Sequence, residues 1–270
     1  MEQYKQHMLD IHCHILPGVD DGPKELSESL ELARLLLLEG ISYCVATPHF
    51  QVGMYEIGKQ RVQELVIWLN KKLAENKIDL KVYPGMEISF SPEILSLLDR
   101  EEICGINDSR YLLIESPQVT TPENINQLIF RLRLQGYVPV IAHPERSPLL
   151  QDNPDLTLQL INKGCLFQLN ASSLVSENKP RETECAQRLI HSKAAHILAS
   201  DAHSCDNRPP KLLHAFERAC FLTGSREDAY NMVSRIPEYI ISDQIYHPPE
   251  PRTVAKQNKG WKRFVPFLKF

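Results

Sequence analysis

Glycine is scarce, with 11 residues in 270, and no tract is of low complexity, so long flexible linkers are not expected. No apolar run is long enough to span a bilayer; the densest is at 35–38. No stretch has the pattern of a secretory signal, so a cytoplasmic protein is expected. None of the seven cysteines forms a C-x-x-C pair. An odd count without paired spacing fits reduced thiols rather than a disulfide framework, and it disfavours a thiolate zinc site. Positive charge is not in excess either. Lysine and arginine total 30 against 34 acidic residues, a formal net charge of -4, so nucleic acid is not an expected partner. What is present is ordinary globular composition, 43% hydrophobic and 24% charged, at a length that suits one α/β barrel.

Short apolar runs alternate with stretches of helical periodicity. The runs predict strands at 8–11, 41–46, 80–83, 110–115, 137–142, 165–170 and 195–200. Helices are predicted between and after them, at 26–37, 57–76, 92–98, 122–135, 156–162, 182–192, 210–222 and 226–234. This order implies parallel strands joined by helical crossovers. Two places fit less well: the third run is short, and Pro139 lies inside its strand, where a missing N–H is awkward. Six of the seven strands end in, or lead directly to, a histidine or carboxylate: His12, His49, Glu87, Glu115, His143 and Asp201. In a barrel of parallel strands these ends share one face, where active sites sit.

The stretch Leu9 to Gly22, L-D-I-H-C-H-I-L-P-G-V-D-D-G, is the densest of these ends. Residues two apart on a strand share a face, so His12 and His14 can aim two imidazoles at one point. Alone, H-x-H is equally met by a strand that happens to carry two histidines. With partners, the candidate donors become His12, His14, Asp21, His49, Glu87, Glu115, His143, Asp201 and His203. These nine exceed what one ion needs, and their four carboxylates would be costly to gather without cations; two or three ions sharing bridging carboxylates fit. Imidazole with carboxylate suits manganese, iron or zinc. Arg146 and Arg208 follow candidate donors on the same loops, and a guanidinium fork matches a phosphate. Asp20 is read as a carboxylate supporting a donor.

In order along the chain, D-I-H-C-H, D-D-G, A-T-P-H, G-M-E, I-E-S, A-H-P-E-R and A-S-D-A-H resemble the polymerase and histidinol phosphatase (PHP) superfamily. Within it the chain is most similar to the bacterial tyrosine-protein phosphatase branch of the CpsB/YwqE type. The resemblance implies a distorted (β/α)7 barrel with three divalent ions, usually manganese, with iron, zinc or cobalt as alternatives. It assigns His12, His14, Glu87 and Asp201 to one ion. Glu87, Glu115 and His143 go to a second, with Glu87 bridging, and Asp21, His49 and His203 to a third. Arg146 and Arg208 match the family's phosphate-contacting arginines. The implied substrate is the phosphotyrosine-rich tail of a bacterial tyrosine autokinase that controls capsule or exopolysaccharide synthesis.

Two rival enzymes and one non-catalytic reading stand beside this. A cysteine phosphatase would use C-x5-R, which Cys104–Arg110 and Cys220–Arg226 match formally. Neither lies on a glycine-rich loop between a strand and a helix, where amides would cradle phosphate and activate the thiol. A small-molecule phosphoesterase, such as a histidinol-phosphate phosphatase, would use the same metals. A metal-bound regulatory module would use them without turnover. His7, His191, His196, His214 and His247 are read as surface or packed residues. The barrel is expected over 1–252. From 253 to 270 a tail carries Lys256, Lys259, Lys262, Arg263 and Lys269 among Trp261, Phe264, Phe267 and Phe270. Such a tail suits contact with an anionic membrane at its inner face.

Overall fold

The computed structural model describes residues 8–116, 120–176 and 178–252; the basic aromatic tail and His7 lie outside these residues. The strands are β1 (Met8–Cys13), β2 (Ile41–Ala46), β3 (His49–Phe50), β4 (Lys81–Pro84), β5 (Glu87–Ile88), β6 (Tyr111–Glu115), β7 (Val138–Ala142), β8 (Leu166–Asn170) and β9 (Ile197–Ala199). All pairings between them are parallel. One sheet runs β1-β2-β4 and the other β3-β5-β6-β7-β8-β9.

The split into two sheets comes from two broken strands. Thr47 and Pro48 separate β2 from β3, where proline has no N–H to give to a ladder. Gly85 and Met86 separate β4 from β5. A Cβ on Gly85 would lie 2.7 Å from Val45 Cγ1, so only glycine lets the chain pass β2 that closely. Each break hands the strand position on to a short piece, whose first residue is a candidate donor: His49 in β3 and Glu87 in β5. The ring then closes between its ends. Cys13 pairs with Ala202, His14 N donates to Ala202 O at 2.8 Å, and Asp201 N donates to His12 O at 2.8 Å. The result is a distorted (β/α)7 barrel.

Period-two alternation along the strands divides the core. Leu9, Ile11, Val45, Tyr111, Leu113, Val140, Ala142, Leu166, Ile197 and Ala199 fill the interior of the ring. Their neighbours Cys44, Ala46, Leu112, Ile114, Ile141, Phe167, Leu169 and Leu198 pack against the helices outside. Pro139 is tolerated because the β7–β8 ladder begins one residue later, at Val140↔Leu166. The helices follow their sequence signals. In Pro122–Leu134, Thr121 Oγ1 caps Asn124 N at 3.3 Å, proline opens the first turn, and Ile125, Leu128, Ile129 and Leu132 recur on the buried face. The last helical stretch runs beyond its expected end at 234. Arg226–Tyr230 passes through a π-turn at Asn231–Arg235 into Ile236–Ile241. Pro237, which has no N–H to give and whose ring crowds the preceding turn, lies just after that π-turn. Ile236 and Ile240 then plug the interior at the end opposite the donors. Among the described residues, no helix is long and apolar enough to cross a membrane.

Candidate metal centre and active site

A bulge decides where His12 and His14 point. Asp10 pairs with Cys44 and Cys13 with Ala46, so three steps along β1 oppose two along β2. The extra residue reverses the alternation after Ile11. Leu9 and Ile11 face the interior, Cys13 faces the helices, and His12 and His14 turn to the mouth of the ring. At the other strand ends, His143 (φ 34) and Asp201 (φ 53) adopt left-handed backbone, a conformation costly for residues other than glycine and concentrated at functional sites.

All nine candidate donors converge. Ligand atoms lie within 4.8 Å of one another in three overlapping groups: His12, His14, Glu87 and Asp201; Glu87, Glu115 and His143; and His14, Asp21, His49 and His203. The histidines are oriented from behind. His12 Nδ1 donates to Gln168 Oε1 at 2.8 Å, and Gln168 is fixed because its amide donates to Leu169 O at 2.7 Å. His14 Nδ1 donates to Asp20 Oδ2 at 2.7 Å, and His203 Nδ1 to Asp201 O at 3.0 Å. Each therefore presents a bare Nε2 to the centre. Since the other nitrogen of His14 is committed to Asp20, its single free atom can serve only one of the two groups it borders.

The centre is built for cations. Glu87 Oε2 is buried without a hydrogen bond, yet faces His49 Nδ1 at 3.1 Å, His12 Nε2 at 3.2 Å and His14 Nε2 at 3.3 Å. His203 Nε2 is likewise buried and unpartnered, 3.1 Å from Asp21 Oδ1. Lone pairs of nitrogen and oxygen aimed at shared points fit divalent ions. Without an ion the imidazoles must supply the positive charge. Burial opposes ionisation of His14, but hydrogen bonds with Asp20 and Glu87 outweigh it and carry its pKa up to about 10. The ring of His203 stacks on it at 3.7 Å, and burial together with the charge of His14 pushes His203 down to about 4. Burial also opposes the charge of Asp201, but His12, His143, Arg146 and Arg208 hold its carboxyl well below the usual range.

Both arginines meet at that carboxylate. Arg146 Nη1 donates to Asp201 Oδ2 at 2.8 Å, and Arg208 Nη2 lies 3.0 Å from both oxygens. Arg208 Nη1 also donates to Asp21 Oδ2 at 3.2 Å. Two guanidinium groups thus border the donor groups, joined through the Asp201 carboxylate, and a guanidinium fork is able to take a phosphoryl group.

The family model for capsular polysaccharide synthesis, CpsB/CapC, matches residues 8–237. The chain belongs to the CpsB/CapC family. This CpsB/CapC member is 39% identical over 201 residues to tyrosine-protein phosphatase YwqE of Bacillus subtilis (strain 168), covering 74% of this chain and 79% of that one. It is 32% identical over 243 residues to tyrosine-protein phosphatase CpsB of Streptococcus pneumoniae, covering 88% and 100%. A crystal structure from the set of YwqE from B. subtilis and CpsB from S. pneumoniae, described as unique metal-dependent tyrosine phosphatases, superposes with a TM-score of 0.87 at 36% identity. That match covers 92% of this chain and 100% of the other.

Sequence reasoning missed several residues of this CpsB/CapC site. Asn170 ends β8, the one expected strand that neither ends in nor leads directly to an acid or histidine, and its amide donates to Asp201 Oδ2 at 2.5 Å. Ser172, just beyond, accepts from Arg146 Nη2 at 3.3 Å. Position at a strand end was the available signal, but a neutral amide carries no charge to draw attention to it. Asp10, which lies among the apolar residues of the first strand and is assigned no role from sequence, is fully buried and accepts from His12 N at 3.2 Å and Ser200 N at 3.0 Å. The two cysteines in C-x5-R segments are unsuited to nucleophilic work. Burial pushes the Cys104 thiol up to about 12, and Cys220 lies within the helix Leu212–Thr223 with its thiol also raised by burial. His196 is buried, its Nδ1 accepting from Phe167 N at 2.9 Å, while His191, His214 and His247 are on the surface.

Proposed function

We propose that this chain is a metal-dependent protein-tyrosine phosphatase acting on a bacterial tyrosine autokinase, and that it thereby regulates capsule or exopolysaccharide synthesis. The convergence of nine nitrogen and oxygen donors beneath two arginines supports this reading most directly. The tyrosine-protein phosphatase names of its relatives support the substrate class. His12, His14, Glu87 and Asp201 would hold one divalent ion, Glu87, Glu115 and His143 a second, and Asp21, His49 and His203 a third, with manganese the first choice over iron, zinc or cobalt. When bound, such ions lower the pKa of water and neutralise phosphoryl charge.

The protein's own groups do the rest. Asp20, Gln168 and the Asp201 carbonyl hold the imidazoles of His14, His12 and His203 in one tautomer. Arg146 and Arg208 bind equatorial phosphoryl oxygens and the charge that develops on them. Attack on phosphorus is direct and in line, with no phosphoenzyme, in keeping with the protonated, buried Cys104. A tyrosyl leaving group has a pKa of about 10, so a strong general acid is unnecessary.

The barrel over 1–252 would work in the cytoplasm, and the basic aromatic tail at 253–270 would hold it against the inner face of the membrane, beside its kinase. Deleting the tail without loss of liposome binding would remove that part of the reading. The central test is hydrolysis of a phosphotyrosyl peptide before and after chelation, with metal analysis of the protein. Activity should vanish with the metal, return with Mn2+, and resist iodoacetamide. Faster turnover of histidinol phosphate would move the assignment to a small-molecule phosphoesterase. Metal-loaded protein inactive on both would leave a regulatory module.

A further inference from the structure

The charged centre has an apolar lip. The chain leaves β3 after Phe50 and forms a small hairpin over 51–55. Gln51 N donates to Tyr55 O at 2.8 Å and Tyr55 N to Gln51 O at 2.9 Å. Gly53 makes the turn at φ 82, and Glu56 braces it by accepting from Gly53 N at 2.7 Å. The hairpin therefore holds its own shape beside the site. The ring of Tyr55 lies 5.7 Å from that of His49, nearly parallel at 19°.

Polarity changes outward along this wall. Glu87 and His12 are fully buried, the His49 side chain is 16% exposed, and Tyr55 is half-buried. Met54, at the tip, is 67% exposed. Arg146, Arg208 and Asp21 belong to the same site and are charged. A phosphate monoester held by the arginines must project its organic group outward. A phenyl ring leaving that centre needs apolar surface at the depth of Tyr55, whereas a short alkyl group has nothing to bury there.

We propose that Tyr55, with Met54 beside it, forms the wall on which the phenyl ring of phosphotyrosine packs, and so selects aryl over alkyl phosphate monoesters. Tyr55 is a specificity residue here, and the assignment rests on the phosphatase reading of the site. A purely supporting role, holding the His49 ring, would affect every ligand alike.

The test separates the two by binding, where leaving-group chemistry plays no part. Inhibition constants are measured for phenylphosphonate and methylphosphonate on the metal-loaded protein, alongside its metal content. The unmodified protein should prefer the phenyl compound. Tyr55→Ala should reduce that preference about tenfold, the scale of one aromatic stacking contact with its buried area, and leave methylphosphonate binding and metal content unchanged. Tyr55→Phe should retain the preference. Met54→Ala, at the exposed tip, should lower it about two- to threefold and guards against misfolding of the Tyr55 variant. An equal weakening of both phosphonates in Tyr55→Ala, or an unchanged ratio in both alanine variants, overturns the proposal. If the unmodified protein binds phosphonates with the aryl preference but hydrolyses no phosphotyrosyl peptide, the phosphatase reading fails instead.

Discussion

Removing the Asp20 carboxylate should weaken divalent-ion binding by about 10- to 100-fold while the barrel stays folded. Asp20 binds no ion in the proposed scheme, yet its two oxygens accept three donors: His14 Nδ1 at 2.7 Å, Gly22 N at 2.9 Å and His49 N at 3.1 Å. Its side chain is 1% exposed. Burial would raise its pKa, but the hydrogen bond and charge of His14 hold it below the ordinary value. One carboxylate thereby fixes the imidazole that directly follows β1, the backbone of β3 and the glycine that follows Asp21. The affinity loss corresponds to about 1.4–2.7 kcal/mol. In Asp20→Ala the two backbone N–H groups also lose their partner, at about 1–3 kcal/mol each if they stay dry. Asp20→Asn should fall between. Its amide can accept on one side only, so it either keeps His14 and His49 and opposes Gly22 N–H, or keeps Gly22 and drives the His14 proton onto Nε2. Competition with a chromogenic chelator measures the affinity, and phosphotyrosyl hydrolysis at limiting and saturating Mn2+ measures the consequence. The rate should recover at saturation. An Asp20→Ala protein that holds metal within about twofold of the unmodified one would refute the reasoning.

Gly22→Ala places a Cβ 2.4 Å from the His14 carbonyl oxygen and 3.1 Å from His14 Cβ, so it should lower stability by about 1–3 kcal/mol and reduce metal content; an unchanged melting curve would count against the packing described. Arg208→Lys and Arg146→Lys lose the planar fork and should each cut kcat/KM about 10²-fold or more with metal content intact; steady-state kinetics with metal analysis checks this. Burial holds His196 at about 4, so the unfolded chain takes up its proton first. The associated stability, present at neutral pH, is lost as pH falls from about 6.5 toward 4, by up to about 3 kcal/mol. Melting temperatures across that range should fall less steeply in His196→Asn.

The order of strands and helices was legible because most strands of this barrel are buried on both sides and read as apolar runs. The donors were legible because they sit where those runs stop. That His12 and His14 share a face was legible; which face was not. Leu9 and Ile11 face inward, and strict alternation from them would send His12 outward; the extra residue between Asp10 and Cys13 is a property of β1 against β2, not of β1 alone. The short strands beyond Thr47–Pro48 and Gly85–Met86 were hidden similarly, since His49–Phe50 and Glu87–Ile88 are set by the strands alongside. Asn170 and Gln168 escaped because neutral amides act through geometry and leave no mark in charge or periodicity.

The closure between the two ends of the barrel has a consequence for how this protein comes apart. The first strand and the segment after the last are joined by few backbone bonds: the Cys13–Ala202 pairing and the hydrogen bonds of His12, His14, Asp201 and Ala202. Those same residues carry donors on either side of the join, His12 and His14 on one lip, Asp201 and His203 on the other. An ion held between them would act as a clasp across the seam of the cylinder, so that cofactor loading and mechanical closure would be one event. Backbone amides at His14 and Asp201 should therefore exchange with solvent sooner than those of β6 and β7 when the clasp is undone, and the barrel should open along this line first.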